Sequence, residues 1–280
     1  MSIEVRAFDA PLGAEVMGLD LNDPLGPETV QTINQAFFDY HVLAIRDQDI
    51  SMVRFMELAG CFGALQSQHV KHYAHADTDK ISMISPQLNN DRDGENAKPL
   101  YRGITFHTDH SYFPKPCKAT LLHAKQVPSD GGDTRFLNMH TAYDDLPENL
   151  KEKVNGINCA HRLAGGRRNK TGRVMSEEEI RTSPNAIHPL VRTHDDNGRK
   201  AIYFNPNRMD GIDGWSDDDG DSLLDELEQR CFQPHYEYRH IWQPDDIVIW
   251  DNRSVLHAAT DDYTEPRLLH RILLEGNEPS

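Results

Sequence analysis

The sequence predicts a mainly-β fold with flanking helices, from three observations. Short runs rich in Val, Ile and Leu recur along the 280 residues, separated by turn-forming Gly, Pro, Asn and Asp. Segments with helical spacing are fewer and lie between those runs, so the helices should pack outside a β core of the sandwich or barrel type. No Gly-x-Gly-x-x-Gly follows a predicted strand, so a doubly wound parallel sheet is not expected.

In chain order, Val30, Ile33, Phe37 and Tyr40 recur at steps of three and four, which predicts a helix over residues 28–40. Val42 to Ile45 reads as a short strand, and Met52 to Cys61 as a second helix with Val53, Phe55, Met56 and Leu58. Strands are expected at 81–84, 119–123, 134–137, 189–192, 201–204, 247–250 and 268–274, and helices near 142–154, 176–181 and 222–231. Asp217, Asp219, Gly220 and Glu226 fall at calcium-loop offsets, but Trp215 stands where the first ligand belongs. These acids read instead as the start of a helix beginning near Asp221, where they favour its dipole.

The length suits one domain, residues 1–280, and no Pro/Ser/Gly-rich linker divides it. A formal net charge of −16 argues against nucleic acid or an anionic membrane surface as partner, since both attract basic faces. The N-terminus has no apolar leader and no run of about 20 apolar residues occurs, so a cytoplasmic protein is expected. Cys61, Cys117, Cys159 and Cys231 are scattered, form no Cys-x-x-Cys pair and read as reduced core thiols.

The chemistry centres on His107-Thr-Asp109 and His257. Two imidazoles and a carboxylate on one side of a metal leave its other side open, as a non-haem Fe(II) oxygenase requires. On a strand, residues i and i+2 share a face, so His107 and Asp109 could chelate one ion. His-x-Asp recurs at His75-Ala-Asp77, in a loop-like run, and at His194-Asp-Asp196, in a turn signal expected to face water. With 15 histidines in the chain, ordinary surface histidines remain the alternative at this point. Gly131-Gly-Asp-Thr134 reads as a tight turn ending in a hydroxyl at a strand start. Arg267 and Arg271, four apart on an apolar run, would share a strand face and need anions to meet, either internal carboxylates or a ligand.

These segments, with Trp250-Asp-Asn-Arg253, Gly13-Ala-Glu-Val16, Leu19-Asp-Leu21, His41-Val-Leu-Ala-Ile-Arg-Asp-Gln48, His188-Pro-Leu-Val-Arg-Thr-His194 and Gly198-Arg-Lys200, resemble in order the taurine and 2,4-dichlorophenoxyacetate dioxygenases. That family uses Fe(II), 2-oxoglutarate and O2. The resemblance implies a double-stranded β-helix (jelly-roll, cupin-like) core. It implies iron at His107, Asp109 and His257, the distal 2-oxoglutarate carboxylate at Arg267 and Thr134, and the acidic group of the substrate at Arg271. The family often places the cosubstrate arginine one residue later, at Leu268 here, so a one-residue deletion between Asp261 and Pro266 is inferred. The activity implied is oxidative decarboxylation of 2-oxoglutarate to succinate and CO2 coupled to substrate hydroxylation. The carboxylate at 109 argues against halogenation, because related halogenases lack it.

Substrate determinants depart from the taurine enzyme: Arg102-Gly-Ile-Thr-Phe106 replaces an Asn-rich approach, and an aromatic contact is replaced near Asn207-Arg208. His69, His72, Phe106 and Arg208 are therefore candidates for substrate contact, with Tyr112 and Phe113 as possible pocket walls; surface or core placement is the alternative for each. The expected substrate is a small organic anion, a carboxylate, sulfonate or sulfate ester, with cleavage after hydroxylation in a catabolic enzyme or retention of the hydroxyl in a biosynthetic one. A zinc hydrolase and a non-catalytic 2-oxoglutarate sensor are the other classes. Relatives commonly form dimers or tetramers, so a homo-oligomer is expected.

Overall fold

The computed structural model describes residues 3–68, 74–87, 101–163, 177–182 and 184–280. Its strands are β1 (Glu4–Ala7), β2 (Ala14–Met17), β3 (Val42–Ile45), β4 (Ala74–His75), β5 (Thr78–Ile84), β6 (Ala119–Gln126), β7 (Thr134–Asn138), β8 (Asn158–Arg162), β9 (Asn185–Pro189), β10 (Val191–Thr193), β11 (Lys200–Ile202), β12 (Met209–Ile212), β13 (Glu237–His240), β14 (Ile247–Asp251), β15 (Val255–Ala259) and β16 (Leu268–Leu273). The helices are α1 (Pro27–Tyr40), α2 (Met52–Gly60), α3 (Met139–Asp144), α4 (Glu148–Val154), α5 (Glu177–Thr182) and α6 (Asp217–Cys231).

Two sheets face one another. The larger has the order β1-β2-β3-β14-β6-β16-β5-β4 and the smaller β13-β7-β15. Alternation along the strands divides the core. Val42, Ala44, Leu122, Val248, Trp250 and Leu269 of the large sheet meet Phe136 and Val255 of the small one. Leu43, Ile45, Leu121, Ile247, Ile249 and Ile272 point the other way, onto Ile33 and Phe37 of α1 and Phe55 and Leu58 of α2. Burial on both faces explains why β3 and β14 read as unbroken apolar runs. Leu137, Leu256 and Ala258, on the outer face of the small sheet, pack with α3, α4 and α6. This is the jelly-roll core with outer helices that the resemblance implies.

Several boundaries differ from the sequence expectation. The helix expected over 142–154 is two helices. α3 is capped by Asn138, whose side chain accepts from the backbone of His140 and Thr141, and Pro147 stands at the N-cap of α4. A proline cannot supply the N–H that an uninterrupted helix needs there. α6 begins at Asp217 rather than Asp221; Ser216 caps it, and Asp217, Asp218 and Asp219 occupy its first turn. The strand expected over 189–192 breaks at Leu190 because the chain changes sheets, β9 pairing with β8 and β10 with β11. The polar strands β1, β8 and β13 carried no apolar signal and were not anticipated.

A candidate metal and anion site between the sheets

The two histidines meet because their backbones pair. His107 forms an isolated antiparallel bridge with His257, in the middle of β15. The His107 N–H donates to the His257 carbonyl at 3.0 Å, and His257 N–H returns the bond at 2.9 Å. Residues paired in this way project their side chains to the same side, and the imidazole centroids lie 4.2 Å apart. Alternation on β15 puts His257 on the inner face with Val255, against Trp250.

Asp109 is not on a strand with His107, contrary to the i, i+2 expectation. The chain leaves the bridge at once and turns, with His110 at φ 58°. Thr108 Oγ1 donates to the Asn252 carbonyl at 2.8 Å, and Asn205 Nδ2 donates to the Thr108 carbonyl at 2.9 Å. These bonds direct Asp109 toward the histidines by a turn instead of a pleat. Its Oδ1 lies 3.9 Å from His107 Nε2 and its Oδ2 3.8 Å from His257 Nε2. One donor atom from each of the three lies within 4.8 Å of the others, and among the described residues no other His, Cys, Asp or Glu cluster does so.

The protonation states suit a metal. His107 Nδ1 lies 2.8 Å from the Thr105 carbonyl, so it carries the proton and Nε2 presents a lone pair. Burial holds the His107 imidazole below its usual range, and burial with His107 alongside pushes His257 down to about 3. Burial would raise the Asp109 carboxyl, but His257, Arg271 and His107 together hold it well below the ordinary carboxylate range. Neutral imidazoles and an ionised carboxylate are the forms that bind Fe(II).

Anion-binding groups flank the triad. Arg271 Nη1 lies 3.9 Å from Asp109 Oδ1, and its Nε donates to Ser82 Oγ at 3.1 Å. Arg267, two residues before the inner-facing Leu269, is 4% exposed. It has no ion pair among the described residues, and its Nε lacks a hydrogen-bond partner. Burial lowers its guanidinium pKa, with Tyr263 and Asp133 the groups opposing that shift. A buried guanidinium without a counter-ion costs several kcal/mol, so a carboxylate ligand fits this position.

Gly131 and Gly132 make the close approach possible, both with φ 71°. A Cβ on Gly132 would stand 3.2 Å from Tyr263 and 3.3 Å from Arg267 Cδ. The turn then delivers Thr134 to the start of β7, where its hydroxyl accepts from Trp242 Nε1 at 3.0 Å. That bond leaves the hydroxyl proton available to an anion. Triad and guanidinium together thus fit a divalent metal with a dicarboxylate cosubstrate.

The remaining candidates are placed less uniformly. The Arg208 guanidinium lies 5.7 Å over the Tyr112 ring and donates to the Leu163 carbonyl. Burial holds the His107 imidazole down and the Tyr112 phenol up; the Arg208 charge adds to the first shift and opposes the second. Phe106 points away from the triad, into the outer core, 5.2 Å from Phe232 and under the Arg135 guanidinium. Alternation at the bridge explains this, since His107 faces inward and its predecessor must face out. His69 and His72 lie outside the described residues. Of the two other His-x-Asp pairs, His75 forms the short edge strand β4 rather than a loop. His194 does lie at the β10–β11 turn, but it is buried, with Nε2 2.9 Å from Asp251 Oδ2, and does not face water.

Sequence reasoning missed the residues that brace the ligands. Thr120 of β6 donates to Asp109 Oδ2 at 2.7 Å and accepts from Asn252 Nδ2 at 2.8 Å. Gly103 (φ 70°) accepts from Ala259 N–H at 2.7 Å, and a Cβ there would stand 3.1 Å from His107 Cε1. Asp251, just before Asn252, is gripped by Arg253 through Nε at 2.8 Å and Nη2 at 2.6 Å. The Trp250-Asp-Asn-Arg253 motif was the available signal; its individual roles needed the fold.

The chain is 30% identical over 284 residues to an alpha-ketoglutarate-dependent 2,4-dichlorophenoxyacetate dioxygenase of Burkholderia sp. (strain RASC), covering 99% of this chain and 95% of that protein. It is 29% identical to an alkylsulfatase of Acinetobacter baylyi, with coverage of 98% and 85%. Among solved structures, AAD-2 in complex with Mn(II) and N-oxalylglycine superposes with a TM-score of 0.84 at 30% identity, covering 100% of this chain and 99% of that one. The sequence profile described as "Taurine catabolism dioxygenase TauD, TfdA family" matches residues 4–273, from β1 through the end of β16, and the chain belongs to that family.

Proposed function

We propose that this chain is an Fe(II)- and 2-oxoglutarate-dependent dioxygenase that hydroxylates a small organic anion and releases succinate and CO2. The observation that carries this reading is the conjunction of the His107–Asp109–His257 triad with Arg267, a buried guanidinium with an unpartnered Nε and no ion pair among the described residues. A zinc hydrolase would leave that guanidinium without a role.

His107, Asp109 and His257 hold the iron, and Arg267 with Thr134 holds the distal carboxylate of 2-oxoglutarate. Bound iron supplies the redox centre at which O2 is reduced while 2-oxoglutarate loses CO2 and a substrate C–H bond gains oxygen. The protein's own task is to keep the imidazoles neutral, exclude water from the space between the sheets and orient the substrate. Arg271 beside Asp109, and Arg208 over Tyr112, receive the acidic group of the substrate. Phe106, packed in the outer core, takes no part.

The similarity to a phenoxyacetate dioxygenase and an alkylsulfatase favours an acid carrying an ether or ester oxygen. Hydroxylation of the carbon next to that oxygen gives a product that collapses with cleavage. The test is succinate formation from Fe(II), 2-oxoglutarate and O2 across a panel of aryloxy carboxylates, alkyl sulfates and sulfonates. One class should raise succinate above the substrate-free rate, with Asp109→Ala abolishing the signal. No O2-dependent succinate with any acid would refute the proposal.

A further inference from the structure

We propose that Thr120 and Asn252 are positioning residues for Asp109, forming a hydrogen-bond relay of fixed direction that engages Oδ2 and orients the carboxylate toward the two histidines. The proposal rests on the metal reading of the triad. It goes beyond that reading by assigning work to two side chains that touch neither metal nor substrate.

The direction follows from donor and acceptor counts. Trp250 Nε1, which can only donate, lies 3.1 Å from Asn252 Oδ1, and the Asp109 backbone N–H donates to the same oxygen at 3.3 Å. Two donors on one atom identify it as the amide oxygen, so Nδ2 must be the atom facing Thr120. Asn252 Nδ2 then donates to Thr120 Oγ1 at 2.8 Å, with Cys117 Sγ as a second acceptor at 3.4 Å. Because Thr120 accepts on that side, its single proton goes to its other neighbour, Asp109 Oδ2, at 2.7 Å. The relay therefore needs Asp109 Oδ2 as an acceptor, and it leaves Oδ1 as the oxygen free of Thr120.

The relay is also rigid. Thr120 and Asn252 are both buried, Thr120 on β6 and Asn252 in the turn immediately after β14. The Asn252 backbone donates to the Lys118 carbonyl at 2.9 Å and its carbonyl accepts from Thr108 Oγ1 at 2.8 Å. Asn252 therefore grips the Asp109 segment at two points, Thr108 and the Asp109 amide, while aiming Thr120 at the carboxylate. With Oδ2 engaged, rotation of the carboxylate about its own axis is restrained and Oδ1 stays turned toward His107 Nε2.

The probe is Co(II) alone, titrated into apo-protein and followed by its visible absorption, which reports coordination as well as affinity. Thr120→Val keeps the shape and β-branching but removes the donor; Thr120→Ser keeps the donor. Asn252→Asp replaces the donating nitrogen by an oxygen and so draws the Thr120 proton away from Asp109. Loss of an outer hydrogen bond to a ligand typically lowers metal affinity about 10–100-fold. Thr120→Val and Asn252→Asp should fall in that range with an altered Co(II) spectrum, while Thr120→Ser stays near wild type. Where valine or aspartate prevents folding, Thr120→Ala against Thr120→Ser makes the same comparison across one oxygen. Normal Co(II) binding by wild type together with unchanged affinity and spectrum in Thr120→Val or Thr120→Ala would overturn the relay alone. Failure of the wild type to bind Co(II) any better than Asp109→Ala would overturn the metal site and the relay with it.

Discussion

Replacing Arg267 by methionine should affect ligand binding and stability in opposite directions. Arg267 is 4% exposed, with no internal ion pair among the described residues and an unpartnered Nε. Truncating one member of a buried, hydrogen-bonded charge pair costs about 2–5 kcal/mol of binding. At about 1.4 kcal/mol per factor of ten, 2-oxoglutarate should bind roughly thirty-fold to a few thousand-fold more weakly to Arg267→Met. The ligand-free protein should not suffer, because a guanidinium buried without a counter-ion is itself destabilising and methionine refills its space against Tyr263 and Gly132. The assay is thermal unfolding of the Mn(II)-loaded protein with and without 2-oxoglutarate. At a hundred times its Kd the cosubstrate adds about 2.7 kcal/mol to wild type, or roughly 5 °C in Tm for a domain of this size. Arg267→Met should show at most about a third of that shift at the same concentration, and a ligand-free Tm at or above wild type. A wild-type shift in the variant, or a ligand-free Tm lowered by many degrees, would refute the assignment.

Arg208→Met should raise KM for the prime substrate about tenfold or more while leaving 2-oxoglutarate Kd unchanged, because Arg208 stands over Tyr112 rather than beside Arg267; steady-state kinetics with each substrate varied in turn separates the two. Arg253→Met should cost about 3–5 kcal/mol in urea unfolding, since it removes the guanidinium that holds the buried Asp251 carboxylate at 2.6 and 2.8 Å and leaves it to His194 and the backbone N–H of residue 253. Burial pushes His41 and His161 down to about 3 and His140 to about 4, from an unfolded value of 6.5. The unfolded chain therefore binds more protons below pH 6.5, and stability should fall as pH drops from about 6.5 toward 4, by on the order of 1 kcal/mol per pH unit for each such histidine. Denaturant midpoints unchanged between pH 7 and pH 5 would contradict this.

The strands that build the core were legible because burial on both faces makes them continuous apolar runs, as in Val42–Ile45 and Ile247–Trp250. Polar strands were not, because β8, the middle strand between β12 and β9, and β13, at the edge beside β7, place His, Arg, Glu and Tyr in extended conformation with little apolar alternation. The metal triad could be named from spacing and resemblance, but its geometry could not. His107 and Asp109 converge through a backbone bridge and a turn, and both depend on partners far away in sequence, His257 and Asn252. Thr120 and Gly103 carry no sequence signature at all. One acts by a hydroxyl near the buried start of β6, the other by the absence of a Cβ next to His107. His194 illustrates the reverse error: a turn signal placed it in solvent, whereas Asp251 draws it inside.

The central claim is that His107, Asp109 and His257 hold iron while 2-oxoglutarate completes the site. Anaerobic addition of Fe(II) and 2-oxoglutarate, followed by visible difference absorption, tests it most directly. A lilac charge-transfer band should appear in the wild-type protein and be absent from Asp109→Ala. Absence of the band from wild type, or an equal band in Asp109→Ala, would contradict the account.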